Sequence, residues 1–270
     1  MAYRVGFIGV GNMGGALVRS IVLGDRERQF SINAYDVNSG ALAALAGELG
    51  IQMKTSIQSL VDDSDIILLA VKPQYAEEVL KEIKAVFTPE KILVSIIVGL
   101  PVTYFKSLLG QQAKVVRTMP NTPAMVGEGM TLLCCDDRTT LVEKQNVMKL
   151  LSFSGRVEEL EERLMNEVTA LTGSSPAYVF MFIEAMADAA VQSGIPRAMA
   201  YRLAAQAILG SAKMVLETGK HPGELKDMVC SPAGTTIEAV AALEREGFRN
   251  AVITAMGECT KRAREIGRKH

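Results

Sequence analysis

The sequence predicts an α/β protein, with a doubly wound, mostly parallel sheet over residues 1–160 and an all-helical second domain over residues 161–270. Three observations predict it. Short β-branched runs alternate with helical patterns through the first half; a glycine-rich turn joins the first run to the first helical pattern; and from about Glu161 onward only helical patterns remain. A chain of 270 residues can form two domains and bury a core that needs neither disulfide nor metal.

Taken in order, Arg4–Gly9, Ser31–Asp36, Asp65–Val71, Ile92–Val98, Val115–Met119 and Met130–Cys135 read as strands. Met13–Leu23, Ala41–Leu49, Tyr75–Phe87 and Leu141–Leu151 read as the helices between them. Strands of continuous apolar character are covered on both faces, which makes the sheet parallel and its crossovers right-handed. Gly155–Leu160 reads as a last strand. Beyond it the helices are punctuated by Gly-Ser-Ser-Pro, Ser-Gly-Ile-Pro, Gly-Lys-His-Pro-Gly and Ser-Pro-Ala-Gly. Among them, Pro176–Gln192 is apolar on nearly every face, with Glu184 and Asp188 on one stripe. A helix without a solvent face must be buried all round. A second domain of this size has difficulty surrounding it alone, so a second subunit is expected to cover it; the alternative is the centre of a monomeric bundle. Ser174-Ser175-Pro176 reads as its N-cap and first-turn proline.

Composition narrows the chemistry. A net charge of −1 advertises neither nucleic acid nor an anionic membrane as a partner. The apolar stretches fall short of the ~18–20 residues needed to span a bilayer. Val5, Phe7 and Ile8 run straight into the glycine turn rather than into a cleavage site, so cytoplasm is the expected location. Cys134, Cys135, Cys230 and Cys259 form no Cys-x-x-Cys pair and read as free thiols of a reducing compartment. His221 and His270 are too few for a histidine-based metal site, and no metal is expected.

Gly9-Val10-Gly11-Asn12-Met13-Gly14 follows Ile8 at the end of the first strand and opens the first helix. Glycine first allows the tight turn, glycine second lets backbone approach a pyrophosphate, and glycine third lets the helix pack on the strand. With the strand before it and the helix after it, this is the fingerprint of a Rossmann domain binding a nicotinamide dinucleotide, NADPH or NADH. Asp36 ends the second strand, where a carboxylate accepts from ribose hydroxyls and repels a 2′-phosphate, which favours NADH; the alternative is a turn or helix N-cap Asp before Asn38-Ser39. Ala70-Val71-Lys72-Pro73 and Ser95–Gly99, including Val98, leave their strands at the C-terminal edge where ligands bind in open parallel sheets.

At Met119-Pro120-Asn121-Thr122-Pro123 the chain begins to resemble the pyrroline-5-carboxylate reductases of proline biosynthesis. The likeness continues through Leu171–Tyr178, Gln206–Met214, His221–Asp227 and Ser231-Pro232-Ala233-Gly234-Thr235-Thr236-Ile237. It therefore runs the length of the chain in order, and it implies reduction of a cyclic imine acid to L-proline by a homodimer. The resemblance places Thr236 nearest the imine nitrogen as the catalytic residue. It places Ser231, Gly234, Thr235 and Glu162 around the substrate, and Asn121 near the cofactor. Such chemistry suits these residues: a protonated imine is already the electrophile and needs orientation more than a strong acid. Amides of Gly234–Thr236 can take the substrate carboxylate. An ordinary helix-capping turn would use the same residues. Ser175 and Ala233 stand where the family usually has glycine, and Met228 and Ile57 where relatives often place Asn. Two other readings remain. The glycine turn also resembles that of the β-hydroxyacid dehydrogenases, although no Lys follows Gly173-Ser174-Ser175 until Lys213. A nucleotide-sensing dimer without turnover would also keep the fold.

Overall fold

The computed structural model describes residues 2–267; His270, weighed above as a metal ligand, lies outside them. In chain order the strands are β1 (Tyr3–Ile8), β2 (Phe30–Tyr35), β3 (Gln52–Met53), β4 (Ile66–Leu69), β5 (Ile92–Ser95), β6 (Lys114–Met119), β7 (Gly129–Cys135) and β8 (Gly155–Glu159). Helices α1 (Asn12–Gly24), α2 (Ser39–Leu49), α3 (Ile57–Asp62), α4 (Ala76–Lys84), α5 (Val102–Leu109) and α6 (Leu141–Ser152) lie between them. Five helices follow the last strand: α7 (Ser175–Gln192), α8 (Arg197–Thr218), α9 (Pro222–Val229), α10 (Thr235–Arg245) and α11 (Phe248–Gly267).

The eight strands form one sheet in the order β3-β2-β1-β4-β5-β6-β7-β8. Every pairing is parallel except β6 with β7. The order reverses between β1 and β4, which is the switch point where open α/β sheets bind ligands. Alternation along β4 builds two cores: Ile66 and Leu68 face α1, α2 and α6, while Ile67 and Leu69 face α3, α4 and α5. All four are fully buried, as the unbroken apolar run predicts. On β7 Cys134 belongs to one core and Cys135 packs against the other, the alternation expected for neighbours on a strand. Arg4 clamps β1 to the start of β4, its guanidinium donating to both oxygens of Asp65 at 2.5 and 3.2 Å.

The sequence reading omitted α3, β3 and α5, all short elements whose windows hold too few residues to show a period. β7 reverses direction because the turn after β6 is a short 3-10 turn over Thr122–Val126, not a crossover helix.

By packing, the chain divides into two compact units. One comprises the chain up to Ser174 together with the chain from Cys259 onward; the other is Ser175–Glu258. This division differs from the boundary expected at residue 160. Residues after β8 remain with the sheet because Met165 is fully buried in one of its two cores, and Arg264 holds Glu167 at 2.6 and 2.8 Å. Within the helical unit the buried residues are mostly small, Leu225 of α9 excepted. Ala187, Ala200 and Ala204 are buried, whereas Phe180 and Met181 of α7 are 58% and 68% exposed. His221 caps α9, its Nδ1 accepting from Gly223 N–H at 3.0 Å. Among the described residues there is no cluster of metal-ligating side chains, and no helix long and apolar enough to cross a membrane.

Candidate functional site

The glycine turn follows from steric necessity. Gly9 has φ +98°, and a Cβ there would stand 2.5 Å from the carbonyl oxygen of Ala70; at Gly14 it would stand 2.2 Å from that of Gly9. Neither position accepts a side chain without moving backbone. Gly11 differs: a Cβ there would meet nothing within 4 Å. Its glycine leaves open space at the start of α1, a helix with no side-chain cap on its first amides. Those amides and the positive end of the helix are a cradle for an anion.

Two lobes flank this turn and share Gly11, Ala70, Val71 and Lys72. The larger, about 630 Å³, is also lined by Asn12, Met13 and Gly14, by Pro73, by Ile96–Val98 after β5, and by Met119–Thr122 after β6. Thr169, Gly173 and Ser174 complete it. Lys72 is its only ionisable lining side chain among the described residues. The smaller lobe, about 490 Å³, holds Ile8 and Gly9, Tyr35, Asp36 and Val37 at the end of β2, and Tyr75, Glu78 and Glu82 from the segment after β4. Together the lobes suit a ligand with two heads joined by phosphates at the bridge.

The Asp36 carboxylate is held by backbone, accepting from Val10 N–H at 2.7 Å and from Asn38 N–H at 2.8 Å. Each oxygen keeps acceptor capacity beyond these bonds. Asn121 lines the larger lobe, but its side chain serves the scaffold. Its Oδ1 accepts from Met130 N–H at 2.9 Å and its Nδ2 donates to the Thr172 carbonyl at 3.0 Å. Val98 and the Ala70–Pro73 segment stand where the sequence places them. Glu162 lines neither lobe; its carboxylate accepts from Val102 N–H at 2.6 Å.

Sequence reasoning missed Glu78 and Glu82, although their spacing of four on a helix puts both on one face. It also missed Met119, Pro120, Thr169 and Gly173, ordinary apolar or small residues that become lining only through the fold.

In the helical unit, Ser231–Gly234 form the turn before α10. Ala233 adopts φ +54°, so this position, noted for its departure from glycine, carries a left-handed conformation on a residue with a Cβ. Gly234 donates to the Ser231 carbonyl at 3.1 Å. As the N-cap of α10 it supplies no side chain to the first amides. Thr235 and Thr236 are the first two residues of that helix, so amides and hydroxyls are presented together.

Burial raises the thiol of Cys134 to about 12 and that of Cys135 to about 11. Both are protonated at neutral pH and unsuited to nucleophilic work.

Comparisons with known proteins agree along the whole chain. Residues 162–266 match the family described as pyrroline-5-carboxylate reductase dimerisation. Residues 4–99 match the family described as NADP oxidoreductase, coenzyme F420-dependent. A pyrroline-5-carboxylate reductase of Escherichia coli is 46% identical over 99% of this chain and 100% of its own length. One from Methanosarcina acetivorans is 42% identical over 98% of both. The crystal structure of a Plasmodium falciparum pyrroline carboxylate reductase with NADP bound has a TM-score of 0.88 at 31% identity, covering 98% of this chain and 99% of that one.

Proposed function

The chain belongs to the pyrroline-5-carboxylate reductase family, and on that premise we propose that it reduces 1-pyrroline-5-carboxylate to L-proline with NAD(P)H. The observation that carries the reading is the glycine cradle at Gly9–Gly14, with open space at Gly11, opening onto a lobe almost free of ionisable side chains. The bound nicotinamide supplies the hydride. The chain's part is to orient and to exclude water.

The amides of Asn12–Gly14 take the pyrophosphate, the smaller lobe takes the adenosine, and the larger lobe takes the nicotinamide between Ile96–Val98 and Met119–Thr122. Lys72, which lines both lobes, lies beside the phosphates. Asn121 acts by fixing the backbone around its lobe. A protonated imine needs no strong acid, which accords with a nicotinamide lobe whose only ionisable lining group is Lys72. Thr236 orients the imine nitrogen with its hydroxyl. Ser231 and the amides of Gly234, Thr235 and Thr236 hold the substrate carboxylate.

NADH is the preferred reductant in this reading. Asp36, Glu78 and Glu82 line the adenosine lobe, and Lys72 is its one lining cation among the described residues. A 2′-phosphate would bring about two further negative charges beside those carboxylates. The protein works as a homodimer, whose second copy covers the exposed apolar face of α7, and the free thiols fit a cytoplasmic location.

Steady-state reduction of pyrroline-5-carboxylate with each cofactor tests the reaction and the cofactor choice. Turnover with a higher kcat/KM for NADH is expected, and Asp36→Ser should move that ratio toward NADPH. Oxidation of 3-hydroxyacids in place of imine reduction would reject the assignment, as would cofactor binding with no turnover of any cyclic imine. An Asp36→Ser variant that leaves an NADPH preference unaltered would reject the cofactor choice alone.

A further inference from the structure

Glu162 has a task in this chain that the family resemblance does not describe. Its Oε1 accepts from Val102 N–H at 2.6 Å and lies 3.5 Å from Nη1 of Arg117. Arg117 is almost wholly buried, and its Nη2 donates to Oδ1 of Asn166 at 2.7 Å. Val102 is the first residue of α5, whose N-cap, Pro101, offers no side-chain acceptor. A carboxylate sixty residues away in sequence therefore performs the capping, with charge-assisted strength and the helix dipole in its favour.

What this cap secures is the segment between β5 and α5. Ile96, Ile97 and Val98 of that segment form one wall of the nicotinamide lobe. The wall is apolar, so its side chains offer no hydrogen bonds to orient it from within. It is tied at its start, where Ile97 N–H donates to Ser95 Oγ at 3.2 Å, and at its end by Glu162. Between the ties, Gly99 has φ +87°, and a Cβ there would stand 2.9 Å from Cγ2 of Ile266. The segment is thus held from behind, by a carboxylate beside a buried guanidinium that the part-buried Asn166 holds in turn.

We infer that Glu162, oriented by Arg117 and Asn166, is a positioning residue that sets the Ile96–Val98 wall against the nicotinamide ring and makes no contact with the substrate. Hydride transfer depends on reacting atoms held within a fraction of an ångström, so slack in an apolar wall weakens cofactor binding and misplaces the ring. The inference rests on reading the cleft as the NAD(P)H site.

The test compares wild type, Glu162→Ala and Glu162→Gln by calorimetric titration with NADH, steady-state kinetics and thermal melting. Glu162→Ala is expected to raise the Kd and KM for cofactor roughly 10-fold, as loss of one charge-assisted hydrogen bond would. The KM for pyrroline-5-carboxylate should stay within about twofold of wild type, because no substrate contact is lost. Glu162→Gln keeps an oxygen for Val102 N–H and should recover most of the loss. Asn166→Ala, which loosens only the guanidinium, should move cofactor KM the same way by a smaller factor; it decides the matter if Glu162→Ala does not fold. The inference is overturned if Glu162→Ala binds cofactor as wild type does. It is also overturned if the loss falls on the KM of the imine acid and glutamine does not rescue it, or if Asn166→Ala leaves cofactor KM unchanged. Wild type that binds neither NADH nor NADPH would reject the cleft itself, a separate failure.

Discussion

The sheet-bearing unit and the helical unit treat their large apolar side chains in opposite ways. In the first, Phe7, Leu17, Leu68, Leu69, Leu80 and Phe105 are fully buried between sheet and helices of the same chain. In the second, the buried residues are mostly alanines, while Phe180, Met181, Leu203 and Leu209 are more than half exposed. The first unit completes its own core; the second carries apolar surface that a further chain can cover. Burial is therefore complete within one chain in the first case and incomplete within one chain in the second.

The largest expected effect falls on chemistry and lies in the helical unit. Thr236→Ala should lower kcat/KM by ~10- to 1000-fold, the worth of one hydrogen bond to a charged group and its geometric consequences. Its melting temperature should hardly change, because Thr236 is half-buried and does not cap α10. Near-normal turnover in this variant would sink the assignment of that turn.

Next in size is a matched pair of substitutions that sets the two kinds of burial against each other. Leu68→Ala should destabilise the folded chain by about 2–5 kcal/mol without changing its oligomeric state. Phe180→Asp should instead weaken self-association, since burial of one such side chain is worth about 1.5–3 kcal/mol and a charge in its place adds a desolvation cost. Sedimentation across a concentration series reads the difference. A Phe180→Asp protein that associates as wild type does would remove α7 from the interface.

Gly9→Ala should act inside the first unit only. A residue with a Cβ at φ +98°, placed 2.5 Å from a backbone oxygen, forces the turn to shift, and weaker NADH binding of roughly tenfold follows from about 1–2 kcal/mol of strain. Gly11→Ala is the sharper comparison. Its Cβ has free space in this chain, so stability should hold while cofactor affinity falls by steric exclusion of the phosphates. Equal affinity in Gly11→Ala and wild type would contradict the cradle.

The smallest effect is a pH dependence confined to the sheet. Burial raises Cys134 to about 12 and Cys135 to about 11, from an ordinary value near 9. Above about pH 9 the unfolded chain releases thiol protons that the folded chain keeps. The unfolded state then binds fewer protons, and stability falls as pH rises toward those raised values. Urea melts between pH 8 and about 11 should show a decline that Cys134→Ala makes shallower. An unaltered slope in that variant would mean that other groups set it.

Much of this was legible in the residues. The glycine turn, Asp36 and the segments Ala70–Pro73 and Ile96–Val98 reach the cleft as expected, because the C-terminal ends of consecutive parallel strands must lie on one edge. Glu162 and Asn121 were harder. Both carry side chains able to meet a ligand, and nothing local says that Val102 N–H or Met130 N–H will claim them first. Glu78 and Glu82 were missed for the converse reason: charged residues on a helix are usually solvated, and only the position of α4 beside β2's end makes them lining. Ala233 shows a third case, in which a left-handed backbone angle falls on a residue with a Cβ and no local pattern marks it.

By itself, the order of residues determined the alternation of strand and helix, the glycine turn before α1, the change to helices after the last strand and the apolar character of α7. These are local properties, set by side-chain period, by the backbone freedom of glycine and by composition. Only the tertiary structure decided the antiparallel step at β7, the return of the last helical turns to the sheet-bearing unit, and the use of Glu162 as a cap for a distant helix. Each of those depends on which donor meets which acceptor across tens of residues, and that competition is settled by packing.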